Sequence, residues 1–158
     1  KKFGEKCEDM VVVSPDVGSV ARARTFAQKL HMSLAIVDKR RQKANQCEVM
    51  NVIGDVEGKT AVIIDDIVDT AGSLCEGARA LEKRGAKRIF ASCSHAILSD
   101  PAVQRINESP IEKLVITDTI PLPPEKQSDK FVVLSLADAL GDVMMRIQSH
   151  RSVSQLFR

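Results

Sequence analysis

Three aspartates, two hydroxyl side chains and two small residues fall within nine consecutive positions, Asp65-Asp66-Ile67-Val68-Asp69-Thr70-Ala71-Gly72-Ser73. Two adjacent acids at the end of a strand face opposite ways, so one can reach a ligand while the other braces the site. Carboxylates accept hydrogen bonds from sugar hydroxyls or hold Mg²⁺ through water. The Asp69–Ser73 stretch then brings backbone N–H groups and hydroxyls to a helix start, where unpartnered amides and the helix dipole favour an anion. Small side chains let that backbone approach a phosphate closely. The plain alternative is helix capping, because Asp and Ser are common cap residues. The longer pattern is more specific than a cap: apolar residues run into two acids, and a third acid leads into Thr-Ala-Gly-Ser. A Walker A loop is excluded, since no Gly-Lys-Ser/Thr ending is present.

Other candidates are weaker on their own. Lys39-Arg40-Arg41-Gln42-Lys43 packs four cations into five residues. Such a run is usually a solvated loop. At the ligand end of a sheet it could instead neutralise charge on transferring phosphates, and in isolation it would also suit RNA. Asp16 stands in the Ser14–Gly18 turn, where a turn or cap role is ordinary. His95 follows a strand and ranks below the aspartates. His31 and His150 have no motif around them.

The elements that must position these groups can be read from periodicity. Met10–Val13, Leu34–Val37, Val49–Ile53, Thr60–Ile64, Arg88–Cys93, Leu114–Thr117 and Phe131–Leu136 read as strands. Val20–Leu30, Gly72–Lys83 and Ala137–Gln148 carry helical spacing, and Pro101 opens a short helix. Gly85 is placed to end the second long helix. Lys39–Gln46 lacks an apolar face and reads as a loop, and the proline-rich Ile120–Pro124 reads as irregular. Strand–helix alternation over 158 residues predicts one α/β domain with a mainly parallel sheet flanked by helices. Ligands of such sheets bind at the carboxyl ends of the strands.

Composition narrows the classes. The net charge of +2 gives nucleic-acid binding no support, and without Trp or Tyr, and with five Phe, stacking platforms are scarce. The four cysteines, Cys7, Cys47, Cys75 and Cys93, are scattered, so neither a zinc site nor a disulfide framework is expected. No apolar run is long enough to span a bilayer and no signal peptide opens the chain, so a cytoplasmic protein without membrane contact is expected.

The Val62–Ser73 segment resembles the phosphoribosyl diphosphate loop of type I phosphoribosyltransferase folds. More closely, the chain is similar to the C-terminal half of the ribose-phosphate diphosphokinase (phosphoribosyl pyrophosphate synthetase) family. The matching stretches are Val12–Arg24, Ile36–Asn45, Gly54–Val56, Val62–Ser73, Ser94–Ala96 and Ser152–Phe157. Ser19 and Asp100 stand where the family often has glycine, and Ser73 where it often has threonine. The resemblance implies transfer of the β,γ-diphosphoryl group of ATP to O1 of ribose 5-phosphate, with Mg²⁺ as cofactor. It implies Lys39 and Arg41 as catalytic, with Asn45 a lesser candidate nearby. Asp65 and Asp66 would engage the ribose or metal-bound water, and Asp69, Thr70, Ala71, Gly72 and Ser73 the 5-phosphate. Asp16 would associate with the metal, and Ser152, Ser154 and Phe157 with a regulatory phosphate or ADP. It further implies that residues 1–158 form the C-terminal domain of a two-domain, homo-oligomeric enzyme, inactive when alone. A phosphoribosyltransferase and a non-catalytic member of the same fold are the alternatives.

Overall fold

The computed structural model describes residues 9–40 and 49–157. A seven-stranded sheet forms from β1 (Met10–Ser14), β2 (Ser33–Arg40), β3 (Val49–Ile53), β4 (Thr60–Val68), β5 (Arg88–Ala96), β6 (Lys113–Thr117) and β7 (Phe131–Leu134). Its order is β3-β2-β1-β4-β5-β6-β7. All neighbours are parallel except β2 and β3, which pair antiparallel. The expected mainly parallel α/β sheet is therefore found.

The helices are α1 (Val20–Leu30), α2 (Gly72–Lys83), α3 (Ala102–Asn107) and α4 (Ala137–Gln148). The bounds of α1, α2 and α4 coincide with the periodic segments of the sequence. Alternate residues of a strand face opposite sides, and β4 makes the division plain. Val62 and Ile64 pack with Val12, Ala23 and Ala27 beneath α1. Ala61 and Ile63 belong to the larger core with Leu74, Ala78 and Leu81 of α2 and Ile106 of α3. The two cores hold the sheet between helical layers.

Strand bounds need correction: β1 and β6 each gain one residue, β7 ends at Leu134 and not Leu136, and three strands run well past their readings. β4 continues past Ile64 to Val68, so Asp65 and Asp66 sit inside a strand and not in a loop. The β5 ladder carries it on, pairing Asp65 with Cys93, Ile67 with His95 and Val68 with Ala96. β5 likewise runs to Ala96 instead of Cys93. β2 reaches Arg40, so Lys39 is a strand residue opposite Met50 and not the start of a loop. That extension follows from antiparallel pairing with β3, which supplies ladder partners to a polar segment with no hydrophobic signature.

Two glycines are required by the backbone. Gly54 leaves β3 at φ +110°, and a Cβ there would lie 3.0 Å from Ala35 Cα and Leu34 O. Gly85, at φ +85°, ends α2 as expected. No helix of the described residues is long and apolar enough to cross a membrane.

Candidate functional site

A cavity of about 320 Å³ opens at the carboxyl end of β4, lined by Asp16, Asp65, Ile67, Val68, Asp69, Thr70, Ala71, Gly72, Ser73 and Leu74. It unites the Asp69–Ser73 segment with one of the paired acids and with the turn after β1. A wider depression at Asn107 and Gln127–Lys130 carries less chemistry. Its polar groups bond to the chain itself: Ser128 Oγ donates to Asn107 Oδ1, and Lys130 Nζ to the carbonyls of Ile106 and Ser109.

The strand period divides the acid pair. Asp66 shares the α1 face with Val62 and Ile64, and Arg22 Nη2 of α1 donates to its Oδ2 at 2.8 Å. That hydrogen bond holds the Asp66 carboxyl below its ordinary range. Asp65 points to the other face, into the cavity. Its Oδ1 accepts the Asp66 N–H at 2.9 Å, and no cation among the described residues pairs with it. Burial, with the charges of Asp66 and Asp16 adding to it, pushes the Asp65 carboxyl up to about 6. Asp65 is thus the cavity-facing acid and Asp66 the braced one.

Asp16 does act as a turn residue: its Oδ1 accepts the Ser19 N–H at 2.7 Å ahead of α1. It also faces the cavity, close enough for its charge to act on Asp65. Among the described residues, no three His, Cys, Asp or Glu side chains gather as a metal cage. An oxygen-only pair of carboxylates still fits Mg²⁺, which takes one or two carboxylates and completes its shell with water and substrate phosphates.

The side chains of the loop do not serve as a helix cap. The N-cap of α2 is Ala71, in the left-handed region at φ 57°, ψ 12°, and no side chain caps the helix. The first turn holds no acid. The N–H groups of Thr70, Ala71, Gly72 and Ser73 find no protein acceptor among the described residues. Asp69, Thr70 and Ser73 are exposed instead of being turned back on the helix. What remains is a row of amides with two hydroxyls, open to an anion.

Sequence reasoning missed the residues that buttress this loop. Val68 O accepts from Ile97 N and Leu98 N, and Arg105 Nη1 of α3 donates to Thr70 O at 3.0 Å. Arg22 was equally unmarked. These partners lie 35 and 44 residues from the groups they hold, and no local pattern announces them. His95 does not line the cavity; its Nδ1 bonds Thr119 Oγ1 at 2.9 Å. Arg41 and Asn45 lie outside the described residues, as do the side chains of Lys39 and Phe157. Ser152 and Ser154 join hydroxyls at 2.9 Å beyond α4, where Arg146 Nη1 also holds Ser152 O.

Comparison with known proteins gives this geometry a lineage. The chain is 57% identical over 150 residues to the ribose-phosphate pyrophosphokinase of Caldanaerobacter subterraneus subsp. tengcongensis, covering 95% of this chain and 48% of that protein. The chain thus spans about half the length of the curated relatives it matches. The structure superposes on the phosphoribosylpyrophosphate synthetase of Mycobacterium smegmatis with a TM-score of 0.83 at 36% identity, over 90% of this chain and 46% of that one. An APRTase from Giardia lamblia shares the fold alone, with a TM-score of 0.55 at 12% identity over 81% of this chain and 69% of that one. The architecture is that of a type I phosphoribosyltransferase. The family described as phosphoribosyl synthetase-associated domain matches residues 40–158, which include β4, the cavity loop and every strand beyond it, and the chain belongs to that family.

Proposed function

We propose that this chain carries the ribose 5-phosphate half of a ribose-phosphate diphosphokinase site. The supporting observation is the single cavity in which the Asp65 carboxyl faces an uncapped row of amides from Thr70 to Ser73. The amides and the Thr70 and Ser73 hydroxyls receive the 5-phosphate. Asp65, on the adjoining wall, accepts hydrogen bonds from the ribose hydroxyls and turns O1 toward the diphosphoryl donor. Asp66 stays with Arg22 and keeps its neighbour in register.

The reaction is attack of ribose O1 on the β-phosphorus of ATP, giving phosphoribosyl pyrophosphate and AMP. Lys39 and Arg41 stabilise the charge of the transferring group, and positioning with electrostatics suffices without a covalent intermediate. Asp16 and Asp65 would hold Mg²⁺, which offsets phosphate charge when bound. Ser152, Ser154 and Phe157 belong to a phosphate or ADP regulatory site completed from elsewhere in the assembly.

The enzyme in this reading is cytoplasmic and homo-oligomeric, and this chain is its C-terminal domain. The coverage of about half of each relative supports that division. Alone, the chain binds ribose 5-phosphate weakly and turns over little, because catalysis needs both substrates aligned.

Two measurements test the reading. Calorimetric titration of the chain with ribose 5-phosphate should show binding that Asp65→Asn with Asp66→Asn abolishes while circular dichroism stays unchanged. The full-length enzyme should release AMP from ATP and ribose 5-phosphate. Unchanged affinity in the folded double variant overturns the sugar site. Nucleotide formation from a base and phosphoribosyl pyrophosphate, without AMP release, would make it a transferase.

A further inference from the structure

We infer that Arg105 is a positioning residue for the phosphate loop, setting the direction of the amide that receives the sugar phosphate. The inference rests on the ribose 5-phosphate reading of the cavity and deepens it.

The Thr70–Ala71 peptide is the point of control. Its carbonyl accepts Arg105 Nη1 at 3.0 Å. A trans peptide is planar, with its C=O and N–H pointing in opposite directions. Holding Thr70 O toward α3 therefore aims the Ala71 N–H away from α3. Ala71 sits at φ 57°, a conformation that costs an L-residue energy and persists where its surroundings impose it. A carbonyl left to itself could rotate and turn this amide out of the row. The guanidinium opposes that rotation.

The anchor is itself well seated. Arg105 is partly buried, and α3 is fixed by the fully buried Ala102 and Ile106 on either side of it. The segment leading to α3 grips the same loop a second time, through Ile97 N and Leu98 N on Val68 O. The Val68 carbonyl is thus tied to the β5–α3 connection and the Thr70 carbonyl to α3, and the amides from Thr70 to Ser73 are left without protein acceptors among the described residues.

Charge points the same way. A cation near a helix N-terminus is normally unfavourable, because the dipole already makes that end positive. Arg105 Nη1 nevertheless lies only 3.5 Å from where a Cβ on Gly72, the first residue of α2, would stand. No acid in the first turn and no side-chain cap offsets it. An arriving phosphate is the group that would.

The test uses the full-length protein. Arg105→Met keeps much of the side-chain bulk and removes the donors; Arg105→Lys keeps a donor and the charge. We expect Arg105→Met to raise the Kd and KM for ribose 5-phosphate about tenfold or more, as loss of a charge-assisted hydrogen bond would. The KM for ATP should stay within about twofold, and Arg105→Lys should restore most of the ribose 5-phosphate affinity. With ribose 5-phosphate bound, hydrogen exchange at Ala71 N–H should slow in the wild type and in the lysine variant and not in Arg105→Met. If Arg105→Met loses the fold, Arg105→Gln, polar and too short to reach Thr70, is read in the same assays. Wild-type affinity in a folded Arg105→Met or Arg105→Gln protein overturns the inference. So does equal weakening of ATP and ribose 5-phosphate with no rescue by lysine, the mark of a merely structural role. A wild-type protein that binds no ribose 5-phosphate overturns the reading of the site itself, and this inference with it.

Discussion

Replacing Asp65 with Asn should make the chain more stable at neutral pH while destroying its site. The carboxyl is half-buried, and burial with the charges of Asp66 and Asp16 lifts its pKa from an ordinary 3.8 to about 6. At about 1.4 kcal/mol per pKa unit the rise corresponds to roughly 3 kcal/mol between the two charge states. The side chain is only partly buried, so screening reduces this to about 1 kcal/mol. The sign follows from linkage. A raised folded pKa favours the folded state fully below pH 3.8, and that contribution disappears as pH rises through about 6. At pH 7.5 the ionised Asp65 therefore opposes folding. Asn removes the charge yet keeps an oxygen to accept the Asp66 N–H. Urea unfolding at pH 7.5 should show a gain of about 1 kcal/mol, falling to about a third of that at pH 4.5. Ribose 5-phosphate titration of the same variant should show lost binding. Destabilisation at pH 7.5, or a gain that ignores pH, would refute the view that Asp65 is an uncompensated carboxylate held for a ligand.

Other consequences are as direct. Arg22→Met should return the Asp66 carboxyl upward toward its ordinary range, read from ¹³C chemical shifts across a pH titration, since the Arg22 hydrogen bond is the main cause of its depression. Gly54→Ala should destabilise the chain by about 2–4 kcal/mol in urea unfolding, because φ +110° is hostile to an L-residue and backbone atoms lie 3.0 Å from the new methyl. Cys93, its thiol pushed up to about 12 chiefly by burial, and Cys75, also raised by burial, should stay unlabelled by iodoacetamide at pH 8 until the chain is unfolded, as mass spectrometry would read.

The sequence disclosed what is local. α1 and α2 could be bounded to the residue because apolar spacing, a breaker-rich turn before Val20 and Gly85 after Lys83 coincide. The loop from Asp69 to Ser73 was legible because its acid, hydroxyls and small residues are contiguous. The ends of β2, β4 and β5 were not, because ladder pairing extends them through polar residues that leave no hydrophobic mark. The division of labour within the acid pair was anticipated from strand period, but not which acid braces, since that depends on Arg22 across the sheet. α4 illustrates the converse. Its amphipathic pattern gives the helix, yet Leu140, Met144, Met145 and Ile147 are all more than half exposed. Periodicity predicts an apolar face and says nothing of what covers it.

Strand order explains why the chemistry collects where it does. From β1 the chain crosses through α1 to β2 on one side; from β4 it crosses through α2 to β5 on the other. The connections part between β1 and β4 and leave a crevice at their carboxyl ends. Register sets its depth. Val13 pairs with Ile63, so Asp16 lies three residues beyond that pair and Asp65 two, at nearly the same level. Both helices that open beside the crevice begin without a side-chain cap and without an acid in the first turn, whereas α4, beyond the far edge strand, carries Asp138 there. Two positive helix ends thus converge with two carboxylates, Asp16 and Asp65, that have no lysine or arginine partner among the described residues. Each set is unfavourable alone, since like charges repel across a low-dielectric wall. Together they suit a ligand that is both a polyanion and a carrier of cations. A sugar phosphate next to a metal-bound polyphosphate meets that description, and a neutral metabolite does not.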